Sequence, residues 1–126
     1  MSGIKLLIDT NIALYLLGGD QIVASMLEQR EIYISSISEM ELLGFPGISI
    51  QEQESIRNFL SDCILIDMNT DIKERAIDIR QHYNLKLPDA IIAATALHLN
   101  LALISADNIF SRIEQLNFVH YDVSQM

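Results

Sequence analysis

The sequence predicts an α/β fold, a mostly parallel sheet with helices on both faces. Three observations predict it. Apolar runs at Ile4–Ile8, Cys63–Ile66 and Leu101–Ile104 are nearly continuous rather than alternating, as in strands buried on both faces. Stretches with helical apolar spacing separate these runs, as β-α-β crossovers require. The first and last of these runs lead closely into Asp9 and Asp107. Acids so placed sit at strand carboxyl ends, where open α/β sheets carry their ligand crevice.

The first run leads straight into Asp9-Thr10-Asn11. Asp9 suits two roles, a cap for the next helix or an acid of the crevice. Asn11 to Leu17 is helical and is stopped by Gly18-Gly19. Asp20 caps a second helix with Ile22, Val23, Met26 and Leu27 on one side. Glu31 to Ser35 is a short β-rich run. The serines after it offer caps for a helix ending at Gly44. With Ser36 as cap, Glu39 completes a capping box. That leaves Glu41, among Met40, Leu42 and Leu43, as a snorkelling surface residue or an acid aimed into a cleft.

Ser49 to Ser61 begins a further helix, with Ile56, Phe59 and Leu60 as its apolar stripe and the acids of its first turns solvated. Cys63 to Ile66 reads as a second buried strand. Asp71 to Tyr83 is amphipathic, with Ile72, Ala76, Ile79 and Tyr83 on the core face. Lys73 and Arg80 flank that stripe on one side, Arg75 and His82 on the other. Together with Lys86 these are half of the 8 Lys and Arg residues. They are either a solvated helix flank or phosphate contacts at the crevice rim. The helix from Pro88 begins as proline prefers, and Asp89 falls in its first turn, favoured there by the helix dipole. It is apolar nearly all round, so it is buried and holds Asp89 rigidly. A strand at Leu101–Ile104, the acid Asp107 and a last strand at Phe118–Tyr121 complete the pattern.

The 126 residues fit one domain (1–126), large enough for a real core. Hydrophobic residues make up 50% of the chain, which excludes disorder. Cys63 is the only cysteine and has no neighbours at zinc spacing, so a reduced cytoplasmic protein without structural zinc is expected. No signal peptide is visible. Ala90 to Ala106 carries no formal charge, but Pro88 and Asp89 open it and His98 and Asn100 interrupt it. A buried helix, a turn and a strand explain it better than a membrane span. The 17 acids against 8 bases, net −9, exclude nucleic-acid binding by bulk electrostatics. Binding would need bound metal or local basic patches.

In a parallel sheet the carboxyl ends share one edge, so Asp9 and Asp107 can meet. Asp89 begins a helix beside that edge, and Glu41 can project from another. Converging carboxylates repel unless neutralised. Their natural counter-charge is an oxygen-seeking divalent cation, Mg²⁺ or Mn²⁺. Such an ion turns an acidic cleft into a phosphate site.

These residues resemble a known family. The strand with its DTN at Ile4–Asn11, the Ser35–Ser38–Glu41–Leu42 spacing, LKLPDAIIAATA at Leu85–Ala96 and ISAD at Ile104–Asp107 look like a PIN domain. More narrowly, the chain is similar to the small PIN toxins of bacterial VapBC toxin–antitoxin systems. The resemblance implies a three-layer α/β/α arrangement with about five parallel strands. It implies metal-dependent endoribonuclease activity, with Asp9, Glu41, Asp89 and Asp107 as the catalytic, metal-binding cluster. Thr10, Asn11 and Ser105 match positions that support the site by hydrogen bonds. An RNA substrate, a small antitoxin packed into or over the cleft, and a homodimer are implied as partners. Many relatives carry a second aspartate two residues after the position of Asp107; here it is Ile109. One well-held ion, with a second recruited by substrate, is the expectation that follows.

Two rivals come from other classes. One is a non-catalytic PIN-like module that binds nucleic acid or protein. The other is an aspartyl phosphotransferase with Asp9 as nucleophile, which commonly wants an aspartate where this chain has Asn11.

Overall fold

In the computed structural model, which describes residues 4–123, eleven regular elements alternate much as the apolar periodicity predicts. They are β1 (Lys5–Ile8), α1 (Thr10–Leu17), α2 (Gln21–Leu27), β2 (Glu31–Ser35), α3 (Ser36–Leu43) and α4 (Ile50–Ser61). β3 (Ile64–Ile66), α5 (Thr70–Tyr83), α6 (Leu87–Leu99), β4 (Ala102–Ser105) and β5 (Phe118–His120) follow. A 3₁₀ turn at Asn108–Arg112 links the last two strands.

The sheet has 5 strands in the order β3-β2-β1-β4-β5, and every pairing is parallel. The chain first winds outward from β1 to β3, then crosses to β4 on the other side. The reversal falls between β1 and β4, the point where such sheets open a crevice. Ile8 pairs with Ile34 on one side and Ile104 on the other, so the three central strands end level with one another.

Side chains alternate across the sheet, and each face feeds one core. Leu7 and Leu103 pack with Ile72, Ile79, Ile92 and Phe110 under α5 and α6. Leu6, Ile8, Ile34 and Ile104 pack with Ile12, Val23, Leu42 and Ile56 under the first four helices. α6 is buried from Ala90 to Ala96, as its all-round apolar sequence requires. Its alanines let it lie close to the sheet. No helix among the described residues is long and apolar enough to cross a membrane.

Local chemistry sets the element ends. Asp20 caps α2 by accepting from the amides of Ile22 and Val23. α5 and α6 both finish on an asparagine in the left-handed region, Asn84 at φ 53° and Asn100 at φ 55°. At the end of α3, a Cβ on Gly44 would stand 2.5 Å from the Met40 carbonyl oxygen, so only glycine closes that turn.

Two expectations need correction. The cap of α3 is Ser35, which accepts from the Ile37 amide, so the helix starts one residue early and Glu39 closes no capping box. The capping box lies instead on α4, between Ser49 and Glu52. β3 is an edge strand, and its Ile64 and Leu65 remain exposed. An apolar run identifies a strand, but the number of neighbouring strands decides how deeply it is buried.

Candidate active site

The Asp9-Thr10-Asn11 turn at the end of β1 ties three distant parts of the chain together. Asp9 is buried at 6% exposure, almost without precedent for an acid unless it is bonded. Its Oδ2 accepts from the Ser105 hydroxyl at 2.6 Å and from Asn11 Nδ2 at 3.3 Å. Its Oδ1 accepts from the Thr10 amide at 2.8 Å, so Asp9 is also the N-terminal cap of α1. Asp9 is thus a helix cap that also lies at the carboxyl edge of the sheet.

Thr10 faces α3. Its hydroxyl donates to Glu41 Oε1 at 2.6 Å and shares a hydrogen bond of 2.8 Å with Ser38. Asn11 faces the loop after β4. Its Nδ2 donates to Ser105 Oγ at 3.3 Å, and its Oδ1 accepts from the Ala106 amide at 3.2 Å. Ser105 also accepts from the Asp107 amide at 3.0 Å, which fixes where that residue leaves the strand. Asp107 in turn caps the 3₁₀ turn by accepting from Ile109 N–H. Ile109 packs on the α6 side of the core.

Asp9 and Asp89 both feel the charges of Glu41 and Asp107. Asp89, half-buried in the first turn of α6, has its carboxyl pushed up to about 6. Burial is the largest cause, followed by repulsion from Asp9, Asp107 and Glu41, and Lys86 pulls the other way. Burial also raises Asp9 above the ordinary carboxylate range, with Glu41 and Asp107 adding to it and the Ser105 and Thr10 bonds opposing it. The fold therefore assembles four carboxylates at the β1/β4 reversal and holds them at a cost in mutual repulsion. They share a field rather than a point: among the described residues, no three His, Cys, Asp or Glu side chains are gathered closely enough to grip an ion as they stand.

The seven residues expected at the site, Asp9, Glu41, Asp89, Asp107, Thr10, Asn11 and Ser105, all lie at this edge of the sheet. Ser38 belonged to the Ser35–Ser38–Glu41–Leu42 spacing but was given no role at the site. It is fully buried and bonded to Thr10. The available signal was its position three residues before Glu41, on the same helix face. The donors on offer are carboxylate and hydroxyl oxygens, without sulfur and without a histidine in the bonded network. That set fits a hard divalent cation such as Mg²⁺ or Mn²⁺ better than zinc.

Comparison with known proteins gives a consistent result. A family model described as PIN domain matches residues 6–116. A chain of a toxin–antitoxin complex from Klebsiella pneumoniae superposes with a TM-score of 0.82 at 35% identity, over 94% of this chain and 99% of that one. A chain of VapBC-1 from nontypeable Haemophilus influenzae gives 0.77 at 25% identity, over 93% and 98%. A chain of VapBC2 from Rickettsia felis, bound to a DNA fragment from its promoter, gives 0.84 at 24% identity, over 94% and 100%, a likeness of fold alone. No curated protein matches the sequence.

Proposed function

Because the chain belongs to the PIN domain family, we propose that it is a metal-dependent endoribonuclease, the toxin component of a toxin–antitoxin pair, formed by residues 1–126 as one domain and acting in the cytoplasm. The observation that carries this reading is the set of four mutually repelling acids at the β1/β4 reversal. Lys86 offsets only part of this repulsion at Asp89, and an external cation would neutralise the rest.

Asp9, Asp89 and Asp107 would hold Mg²⁺ or Mn²⁺, with Glu41 binding directly or through water. The bound ion supplies Lewis-acid chemistry, activating a water and stabilising charge on phosphate oxygens. The chain's own residues orient the ligands. Asp9 Oδ2 is committed to Ser105 and Asn11, whereas Oδ1 meets only the Thr10 amide and keeps a lone pair to offer. Thr10 holds Glu41 toward the same cleft, and the rigid first turn of α6 carries Asp89. Among the described residues nothing hydrogen-bonds to the Asp89 carboxylate, so it is the ligand free to turn inward on loading.

The antitoxin reading draws support from the structural neighbours and from one groove. Leu14, Phe45, Ile48 and Ile56 line a cavity of about 220 Å³ that runs up to Thr10 and Glu41. A partner's apolar segment seated there would cover the cleft. The homodimer is proposed on the family's habit alone.

The test is cleavage of a mixed structured RNA pool by the purified chain with Mn²⁺, with EDTA, and by Asp9→Asn. Metal-dependent cutting that Asp9→Asn abolishes is expected, leaving 5′-phosphate and 3′-hydroxyl ends. Products with 2′,3′-cyclic phosphates would show that the 2′-hydroxyl attacks and would overturn the mechanism. A folded, inhibitor-free sample that cuts nothing would favour the non-catalytic binding module.

A further inference from the structure

We propose that His120 is a positioning residue of the acid cluster: its ring N–H fixes the peptide that carries Asp107, and so sets how Asp107 meets a bound cation. The proposal rests on the nuclease reading and adds to it a residue from the last strand. β1, β4 and β5 are in register toward their carboxyl ends. Ile8 pairs with Ile104, and Ser105 pairs with His120. Asp9, Ser105 and His120 therefore form a row across three strands. They share the sheet face of Leu7 and Leu103, which α6 covers.

The main-chain ladder between β4 and β5 ends where the Tyr121 amide donates to the Ser105 carbonyl at 2.8 Å. The next carbonyl, that of Ala106, lies beyond the last paired residue and takes a side chain instead. His120 Nε2 stands 3.1 Å from it. A carbonyl only accepts, so Nε2 carries the hydrogen. This carbonyl belongs to the same peptide unit as the Asp107 amide, which donates to Ser105 Oγ at 3.0 Å. Both polar ends of one peptide plane are thus tied, one to β5 and one to β4. Ser105 in turn donates to Asp9 Oδ2 at 2.6 Å. From His120 to Asp9 every donor points the same way, the arrangement in which each bond polarises the next.

The ring itself is held. Its centroid lies 5.9 Å from that of Phe118, which lies 5.8 Å from that of fully buried Phe110. Phe110 belongs to the 3₁₀ turn that Asp107 caps, so the aromatic row and the hydrogen bond brace the same turn. Asp107 Oδ1 accepts from the Ile109 amide, which leaves Oδ2 for a ligand. No further acid lies between Asp107 and Arg112, so the turn offers a single carboxylate and its aim matters. His120 bonds to no side chain of the cluster. Its hold is on the main chain behind Asp107, the outer position from which such partners orient the ligands of a metal.

The experiment compares the full chain with two substitutions of opposite kind. His120→Phe keeps a ring beside Phe118 and removes the donor. His120→Gln removes the ring and returns an N–H near the place of Nε2. The Asp107 amide is followed in EDTA by ¹H–¹⁵N NMR, Mn²⁺ binding by the electron paramagnetic resonance of the free ion, and cleavage on an RNA that the parent cuts. His120→Phe is expected to shift the Asp107 amide, weaken Mn²⁺ about tenfold and lower kcat about as much at the parent's KM. His120→Gln should restore most of each. His120 is exposed, so both variants should fold, which circular dichroism checks; His120→Ala replaces His120→Phe if that one does not. An unmoved Asp107 amide, or Mn²⁺ affinity within twofold of the parent, overturns the proposal. So does a loss that His120→Gln shares in full, because the ring and not its N–H would then matter. A raised KM at the parent's kcat overturns it as well, because His120 would then hold RNA directly. A parent that binds Mn²⁺ and cuts no RNA removes the nuclease reading, and the amide shift and Mn²⁺ affinities still decide the role of His120. A parent that binds no Mn²⁺ removes both.

Discussion

The hydroxyl of Ser105 donates to Asp9 Oδ2 at 2.6 Å across 96 residues of sequence, and this bond closes the reversal point between β1 and β4. The same oxygen accepts from the Asp107 amide. Ser105→Ala therefore leaves a buried carboxylate short of a donor and an amide short of an acceptor. A hydrogen bond to a buried charge is worth about 1.5–3 kcal/mol, and urea unfolding should show a loss of that size. Metal-dependent cleavage should fall at least tenfold, because Asp9 and Asp107 lose their common anchor.

Asp89 makes the metal-free protein pH-sensitive in a stated direction. Its carboxyl is pushed from an ordinary 3.8 up to about 6 when folded. The folded chain thus holds this proton more tightly than the unfolded one. The stabilisation is complete below about pH 4 and is lost as the pH rises through about 6. Thermal unfolding in EDTA should show Asp89→Asn gaining on the parent from pH 4 to pH 7. Equal Tm values for the two proteins at pH 7 would contradict the repulsion described here.

Added Mn²⁺ should show the opposite trend. Protons and metal compete for the same carboxylates, so the rise in Tm on adding the ion should be small near pH 5 and larger near pH 7.5. Chelation should return the protein to its metal-free Tm at both values.

Thr10 links Glu41 to buried Ser38. Thr10→Val keeps the shape and removes the hydroxyl, which leaves Ser38 unsatisfied at about 1–3 kcal/mol. Glu41 is then free to swing. Thr10→Ser should restore both stability and kcat, and a variant series that moved stability alone would limit Thr10 to a structural role.

The cap of α3 and the absence of a capping box there can be checked by the same kind of measurement. Ser35→Ala should cost about 0.5–2 kcal/mol, the usual loss of an N-cap. Glu39→Gln should lie within about 0.5 kcal/mol of the parent, as surface changes do.

Much of this was legible in the residues. The apolar runs located the strands because burial on both faces leaves no room for polar alternation. The acids at the carboxyl ends of β1 and β4 located the crevice, because parallel strands bring those ends to one edge. Two things were hidden. The exposure of Ile64 and Leu65 depends on β3 having a neighbour on one side only, which is a property of strand order rather than of the run itself. The part played by Ser38 depends on where α3 lands against α1, and a lone buried serine looks like any other helix residue until that contact is made. The cap of α3 failed for a simpler reason: with two serines in succession, either can serve, and packing selects one.

The order β3-β2-β1-β4-β5 has a consequence for synthesis. A chain emerging from the ribosome can pair β1 with β2 and β2 with β3 while β4 is still unmade. Until then β1 is an open edge, and Asp9 has neither Ser105 nor Asp107 beside it. The acid cluster is completed only after β4, with the 3₁₀ turn and β5 still to follow. A nascent or truncated chain that stops short of Ser105 holds three of the four acids and none of the bonds from Ser105, so the acid cluster is complete only when most of the chain has been made.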